Sequence, residues 1–139
     1  MTAAPPDPIA RLFDAARAIQ TRAYVPYSRF RVGAAILTPE GRVFSGCNVE
    51  NAAYPQGACA ETGAISAMVA GGGSRIAAIL VIGDGENLVT PCGGCRQRIR
   101  EFASADTPVH IAGPEGVRRS FTLDALLPHS FGPENLDRR

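Results

Sequence analysis

The chain has 139 residues, of which 45% are hydrophobic, and its formal net charge is +1. This size fits a single compact domain over residues 1–139 with a real core, and it excludes a two-domain protein. The near-neutral charge disfavours a nucleic-acid polymer as partner, and no apolar run reaches the length of a membrane span.

The N-terminal segment, Met1 to Pro8, is proline-rich and polar. It lacks the basic start and the apolar run of a signal peptide, so we expect a cytoplasmic protein whose four cysteines stay reduced. Reduced, clustered cysteines in such a protein favour metal binding or catalysis over disulfides.

The chain begins with a predicted helix that is followed by a β-hairpin. Apolar residues at helical spacing predict an amphipathic helix from about Pro8 to Arg22, which Pro26 ends. Arg31 to Thr38 and Val43 to Asn48 are typical of strands, and Pro39-Glu40-Gly41 between them is typical of a turn.

The middle of the chain alternates loops, helices and a strand. A loop through Tyr54-Pro55-Gln56-Gly57 leads to a second helix, which opens near Cys59 and runs to the glycine triplet. Ile76 to Ile82 is a near-continuous apolar run, as expected of a strand buried on both faces. After a loop over residues 85–91, a third helix starts at Cys92.

The last part of the chain predicts a closing hairpin and a short helix. Val109 to Ala112 and Val117 to Phe121 are the two strands, and Thr122 caps a helix that stops before Pro128. The tail after it is too short and too broken by Pro133 to form a further element. This order of elements indicates an α/β fold, in which a mixed sheet carries helices on both faces.

Three cysteines and a glutamate form the most informative pattern. Cys59, Cys92 and Cys95 can occupy three corners of a zinc tetrahedron and leave the fourth for water, while Glu61 can carry protons to and from that water. Both cysteine motifs begin a helix, whose free amides and dipole stabilise thiolates. The pattern is the all-cysteine form of the H-x-E…P-C-x-x-C signature of zinc nucleobase deaminases. It predicts an enzyme that removes the amino group from a cytosine ring.

Other interpretations of the cysteines stay open. The segment Cys92-Gly93-Gly94-Cys95 alone is equally typical of a thioredoxin-like redox site, although such a site needs neither Cys59 nor the carboxylate two residues after it. A closed structural zinc site needs a fourth ligand. Cys47 lies in a predicted strand as a small buried residue, and His110 and His129 lack ligand spacing. A zinc-dependent binding module without turnover is a further alternative.

The segment Asn48-Val49-Glu50-Asn51 follows the second strand, and taken alone it is a polar turn. If the chain stays extended there, Asn48 and Glu50 lie on one side. An amide and a carboxylate together can bind vicinal sugar hydroxyls. The carboxylate would repel a phosphate, which favours a nucleoside over a phosphorylated substrate.

These motifs together resemble the homotetrameric zinc-dependent cytidine deaminases. The resemblance runs in order along nearly the whole chain, through Tyr27-Ser28-Arg29-Phe30-Arg31-Val32-Gly33-Ala34-Ala35, Asn48-Val49-Glu50-Asn51, Cys59-Ala60-Glu61, Pro91-Cys92-Gly93-Gly94-Cys95-Arg96-Gln97 and Leu126-Leu127-Pro128…Phe131-Gly132. It implies a three-layer α/β/α sandwich with a five-stranded mixed sheet and one zinc per subunit. It also implies deamination of cytidine and 2′-deoxycytidine in pyrimidine salvage. Deamination of another aminopyrimidine, such as a nucleoside antibiotic, is the alternative that the Asn48/Glu50 pair disfavours.

The resemblance implies roles for residues around the substrate. Glu61 is the catalytic proton carrier. Asn48 and Glu50 hold the ribose, Phe30 packs against the pyrimidine, and the backbone of Ala60 meets the base.

It also implies residues around the metal and between subunits. Tyr54 and Phe131 lie at subunit contacts of a homotetramer. Many members of the family carry an arginine directly after the catalytic glutamate, where it bonds the zinc thiolates, but this chain has Thr62. We expect Arg96 and the two helix N-termini to compensate for that loss.

Overall fold

A computed structural model describes residues 7–136. Helix α1 spans Pro8–Gln20 and begins at Asp7, whose side chain accepts a hydrogen bond of 3.0 Å from the Ile9 amide. The predicted helix is confirmed, but Pro26 does not end it. The chain has already left the helix at Tyr24, which forms an isolated β-bridge with Val49.

Five strands form one mixed sheet in the order β2-β1-β3-β4-β5. They are β1 Val32–Leu37, β2 Val43–Cys47, β3 Ala78–Gly83, β4 Pro108–Gly113 and β5 Gly116–Thr122. Strand β1 runs antiparallel to both of its neighbours, β3 and β4 are parallel, and β4 and β5 form an antiparallel hairpin. Both predicted hairpins are therefore confirmed, and β3 is buried along its whole length as predicted.

Three further α-helices follow within residues 7–136: α2 Ala60–Ala70, α3 Gly93–Arg100 and α4 Leu123–Leu126. The predicted loop before α2 contains a short 3-10 helix, Tyr54–Gln56. Thr122 caps α4 as predicted, since its hydroxyl accepts a hydrogen bond from the Ala125 amide. The expectation that the tail forms no further element is wrong, because Pro133–Asn135 forms a 3-10 turn. Pro133 starts this turn, where a missing backbone N–H costs nothing.

The sheet is the middle of three layers. Helix α1 packs Leu12 and Ala16 against one face, on side chains that include Leu80 and Ile82. Helices α2, α3 and α4 cover the other face. The structure thus confirms the predicted three-layer α/β/α sandwich. Within residues 7–136, no helix is both long enough and apolar enough to span a membrane.

The topology brings distant segments together at one edge of the sheet. Because β2 and β3 are both antiparallel to β1, their carboxyl ends meet at the edge where β1 begins. Helix α2 follows β2, and α3 follows β3, so both helices start at this edge. Gly46 of β2 packs so closely on α2 that a Cβ atom there would overlap the backbone of Ala64. In open α/β sheets, ligands bind outside the carboxyl ends of the strands, and this edge has that position.

Candidate active site

Cys59, Cys92 and Cys95 come together at this edge of the sheet. Their sulfur atoms all lie within 4.8 Å of one another, and Cys59 Sγ lies 3.9 Å from Cys92 Sγ. Cys59 and Cys92 are the residues at which α2 and α3 begin, and Cys95 is fully buried in the first turn of α3. Among residues 7–136, no other group of three potential ligands is close enough to hold a metal ion.

The geometry of the three sulfur atoms fits zinc. Tetrahedral coordination with Zn–S distances of about 2.3 Å places the sulfur atoms about 3.8 Å apart, close to the separation of Cys59 and Cys92. All four cysteines are free thiols. Cys47 lies outside the cluster in β2, and His110 on β4 instead lies 2.6 Å from Ser120 Oγ through its Nδ1. Three thiolates would leave one position of the tetrahedron open.

The three thiols differ in pKa. Burial raises the pKa of Cys95, and the negative charge of Glu61 adds to this effect. Burial also raises the pKa of Cys59, with a contribution from the neighbouring Cys92. At Cys92 burial is outweighed by the Cys95 backbone amide and the adjacent thiols, which lower its pKa. A divalent cation would relieve the mutual repulsion of these thiolates.

Glu61 lies beside the cluster in the first turn of α2, with 4% of its surface exposed. Burial raises the pKa of its carboxyl, and the positive charge of Arg98 opposes that rise. Glu61 lines a cavity of about 160 Å³ together with Cys59 and Cys92. Cys59 precedes the helix in extended backbone, so the two side chains can face one site at the helix end although they are only two residues apart.

The structure places Ala60 and Asn48 at the same small cavity. Ala60 is fully buried at the first position of α2. The Asn48 side chain accepts a hydrogen bond from the Val32 amide and donates one to the Phe30 carbonyl, each 2.9 Å long. Phe30 is 38% exposed. Asn48 therefore fixes the chain that enters β1 beside the cavity.

Glu50 lies in a second cavity, of about 350 Å³, which it lines with Tyr27, Ser28 and Tyr54. Its carboxylate accepts hydrogen bonds from the Tyr27 and Ser28 amides, at 3.0 and 3.1 Å, and from the Ser28 hydroxyl. The bond from that hydroxyl is the main reason why the pKa of Glu50 lies below its usual value. Glu50 is thus held as a carboxylate.

Asn48 and Glu50 are connected by hydrogen bonds rather than by a shared cavity. Asn48 bonds the Phe30 carbonyl, the Phe30 amide donates to Ser28 Oγ at 3.0 Å, and the Ser28 hydroxyl donates to Glu50. Sequence reasoning did not single out Ser28 as a functional residue. Its contact with Glu50 joins positions 22 apart in the chain, which local patterns do not reveal.

The sequence predicts that Arg96 helps to compensate for the arginine missing at position 62, and the structure shows that the Arg96 guanidinium hydrogen-bonds groups other than the thiols. The guanidinium donates to the carbonyls of Pro91 and Leu126, at 2.7 and 2.8 Å, and to Thr90 Oγ1 at 3.1 Å. Arg98 reaches the cluster instead, with Nη1 3.8 Å from Cys95 Sγ. On a helix, residues three apart share a face whereas adjacent residues do not. This spacing was the signal in the sequence that could have identified Arg98.

The two residues expected at subunit contacts carry exposed aromatic rings. Tyr54 is 74% exposed, and its ring meets that of Tyr27 edge to face with the centroids 5.8 Å apart. Phe131 is 57% exposed, and its carbonyl accepts a hydrogen bond of 2.9 Å from Gln97 Nε2. Gln97, on α3, therefore ties the tail to the helix that carries two of the cysteines.

Comparisons with known proteins agree with this geometry. The family model for the cytidine and deoxycytidylate deaminase zinc-binding region matches residues 7–111. A cytidine deaminase of Sporosarcina psychrophila is 40% identical over 128 residues, which cover 92% of this chain and 94% of that protein. A cytidine deaminase of Halalkalibacterium halodurans is 43% identical over 122 residues, which cover 86% of this chain and 92% of that protein.

Solved structures show the same relationship. The crystal structure of cytidine deaminase from Burkholderia pseudomallei matches with a TM-score of 0.82 and 41% identity, over 88% of this chain and 98% of that one. The crystal structure of cytidine deaminase from Mycobacterium tuberculosis matches with a TM-score of 0.75 and 40% identity, over 88% of this chain and 96% of that one. Fold, cysteine cluster and sequence all lead to one assignment: the chain belongs to the cytidine deaminase family and carries its zinc-binding region.

Proposed function

We propose that this chain hydrolyses cytidine and 2′-deoxycytidine to uridine and 2′-deoxyuridine, with release of ammonia, and holds one zinc ion per chain. The observation that carries this proposal is the cluster of three thiols, two of which, Cys59 and Cys92, line one cavity with the buried carboxyl of Glu61. The products suit pyrimidine salvage. The need for three reduced thiols suits the cytoplasm.

Cys59, Cys92 and Cys95 hold the zinc as thiolates in this proposal. When bound there, zinc supplies a Lewis acid that makes a water molecule nucleophilic near neutral pH. The helix N-termini at Cys59 and Cys92 favour the charged form of the ligands.

Glu61 carries the protons. Burial raises its pKa, which brings the carboxyl closer to the range in which it both accepts and releases a proton. It takes a proton from the attacking water and delivers it to ring N3 while the bond between oxygen and C4 forms. It then moves the second proton to the amino nitrogen, and the bond between C4 and that nitrogen breaks to release ammonia.

The dimensions of the cavity support a base inside and a sugar outside. The cavity lined by Glu61 has a volume of about 160 Å³, which is below the roughly 300–1,000 Å³ of most small-molecule sites. This small volume favours a bound base over a whole nucleoside. In our proposal the Ala60 backbone and the Phe30 ring meet the pyrimidine, and Asn48 and Glu50 bind the ribose beyond it. The ionised Glu50 would repel a phosphate, so nucleosides are preferred over nucleotides.

The proposed assembly is a homotetramer in which neighbouring chains complete the site. Tyr54 and Phe131 present large exposed rings, and Tyr54 lines the second cavity beside Glu50. Exposed aromatic rings of this kind are enriched at protein interfaces. A partner seated there would cover the open side where the sugar lies.

The decisive experiment follows the ultraviolet absorbance of cytidine mixed with purified protein, before and after treatment with a zinc chelator. We expect loss of cytidine absorbance that the chelator abolishes and added zinc restores. Cytosine and cytidine monophosphate serve as matched substrates and should react far more slowly. Equal kcat/KM for cytosine and cytidine would contradict the ribose contacts.

The same preparation separates the two other interpretations of the cysteines. Bound zinc without turnover of any cytosine compound would indicate a binding module. Reduction of insulin disulfides that persists after zinc removal would indicate a thiol-disulfide oxidoreductase.

A further inference from the structure

We propose that Arg98 is a positioning residue of the zinc site, where its guanidinium bonds the Cys95 thiolate and offsets the surplus negative charge of the cluster. The inference rests on the proposed zinc site. It concerns a side chain that the sequence motifs did not single out.

The contact joins an exposed side chain to a buried sulfur. Arg98 Nη1 lies 3.8 Å from Cys95 Sγ, within hydrogen-bonding distance for sulfur. Cys95 is fully buried, whereas Arg98 is exposed. Gly94 leaves room for this arrangement, because a Cβ atom there would lie 3.2 Å from the same nitrogen. The guanidinium thus folds back along α3 onto the ligand one turn earlier.

The charge of the cluster explains why a cation is needed. Three thiolates around a divalent ion leave one net negative charge, and an ionised Glu61 adds another. The chain contains no lysine, so arginine is its only permanent cation. Arg96, the other arginine near the cluster, already directs its donors to Pro91, Leu126 and Thr90.

The charge of Arg98 is free to act on the thiolate. Within residues 7–136, ion pairs join Arg100 to Glu134 and Arg118 to Glu115, and none involves Arg98. A guanidinium that forms no ion pair can direct its N–H donors to the sulfur, and a hydrogen bond to a metal ligand orients that ligand.

Helix α3 supplies this cation where α2 supplies none. Thr62, directly after Glu61, and Arg98 line one surface cavity of about 350 Å³ between the two helices. The uncharged Thr62 leaves the α2 side of this cavity without a cation. A guanidinium introduced at position 62 would enter the same space from the opposite helix.

The test measures the zinc dissociation constant of metal-stripped, reduced protein by competition with a chromophoric chelator. Arg98→Gln removes the charge but keeps a polar side chain, and it should weaken zinc binding by about 10- to 100-fold, as loss of a ligand's hydrogen-bonding partner does. Arg98→Lys should retain part of the affinity. The double variant Thr62→Arg with Arg98→Gln should recover affinity relative to Arg98→Gln alone.

Two controls separate this role from general effects of charge and folding. Arg17→Gln removes an exposed arginine from α1, on the other face of the sheet, and should leave the dissociation constant unchanged. Thermal unfolding of metal-free Arg98→Gln should match the wild type, because the exposed side chain leaves no cavity in the core.

The outcomes distinguish this inference from the proposed function. If the wild type binds zinc and deaminates cytidine, and Arg98→Gln binds zinc with equal affinity, the proposed role of Arg98 is wrong while the proposed function stands. An equal loss in Arg17→Gln, or a loss in Arg98→Gln that follows unfolding of the metal-free chain, would also overturn the role of Arg98. Wild-type protein that takes up no zinc would overturn both proposals.

Discussion

Asn48 Nδ2 donates a hydrogen bond of 2.9 Å to the carbonyl of Phe30, while its Oδ1 accepts one from the amide of Val32. A residue proposed to bind the ribose thus also holds the segment that carries the proposed base-stacking ring. Each end of the amide keeps capacity for a further partner, because an amide nitrogen has two hydrogens and its oxygen two lone pairs. The Asn48 side chain can therefore hold the segment that enters β1 and bind the ribose at the same time.

Asn48→Ala should reduce both stability and substrate affinity. It leaves the Val32 amide and the Phe30 carbonyl without their partner, which costs about 1–3 kcal/mol of unfolding free energy where these groups stay shielded from water. Denaturant unfolding measures that loss, and steady-state kinetics should show a higher KM for cytidine. Wild-type KM together with the expected loss of stability would restrict Asn48 to its scaffold role.

Glu61→Gln should keep zinc and lose turnover. Glutamine has nearly the same size but cannot shuttle protons, and loss of such catalysis is worth roughly 10²–10⁴-fold in kcat. Metal analysis and steady-state kinetics on the same preparation measure both quantities. Glu40→Gln, in the exposed turn between β1 and β2, is the matched control and should behave as wild type. Near-normal turnover in Glu61→Gln would mean that another group is the base.

Zinc binding should require each of the three clustered cysteines and should not require Cys47. Cys59→Ala, Cys92→Ala and Cys95→Ala each remove one of the three sulfur atoms that lie within 4.8 Å of one another, so each variant should lose zinc. Cys47→Ala is the control, because Cys47 lies outside the cluster in β2. Metal analysis after dialysis measures the zinc per chain. Retention of zinc without Cys92, or its loss without Cys47, would refute the ligand assignment.

Local sequence chemistry was sufficient to predict most of the fold. Thr122 caps α4 through the side-chain bond that its residue type favours, and the apolar run that ends at Ile82 became the central strand. The error at Pro26 has a tertiary cause. The pairing of Tyr24 with Val49 draws the chain out of the helix before the proline is reached, and sequence alone does not show that pairing.

The composition of the site could be predicted, but the contacts around it could not. Cys59, Glu61 and the two cysteines of α3 follow from spacing, since each motif lies at a helix start. The bonds of Ser28 to Glu50 and of Gln97 to Phe131 join positions 22 and 34 residues apart, so they depend on how the elements pack. Arg98 follows Cys95 by three residues on α3, so helical spacing was sufficient to place it near the cluster.

Acid should destabilise the fold in part through His110. This side chain is 8% exposed on β4, and burial lowers its pKa below 6.5. The unfolded chain therefore takes up a proton at higher pH than the folded chain does, so unfolding becomes easier as the pH falls below 6.5. The unfolding free energy of metal-free protein should decline less between about pH 7 and pH 5 in His110→Gln than in the wild type. Parallel pH profiles of the two proteins would contradict this prediction.

The exposed ring of Phe131 should stabilise the association of chains rather than the fold of its own chain. It is 57% exposed, so truncation leaves no hole in the core of its own chain, whereas a ring buried against a neighbour contributes about 1–3 kcal/mol to association. Phe131→Ala should raise the KM for cytidine and shift the sedimentation equilibrium toward smaller species, with unchanged zinc content. Gln97→Ala keeps the ring but frees the Phe131 carbonyl, so it should have the same effects in weaker form. Sedimentation of the wild type at assay concentration decides the matter, because a fully active monomer would leave Phe131 no partner to contact.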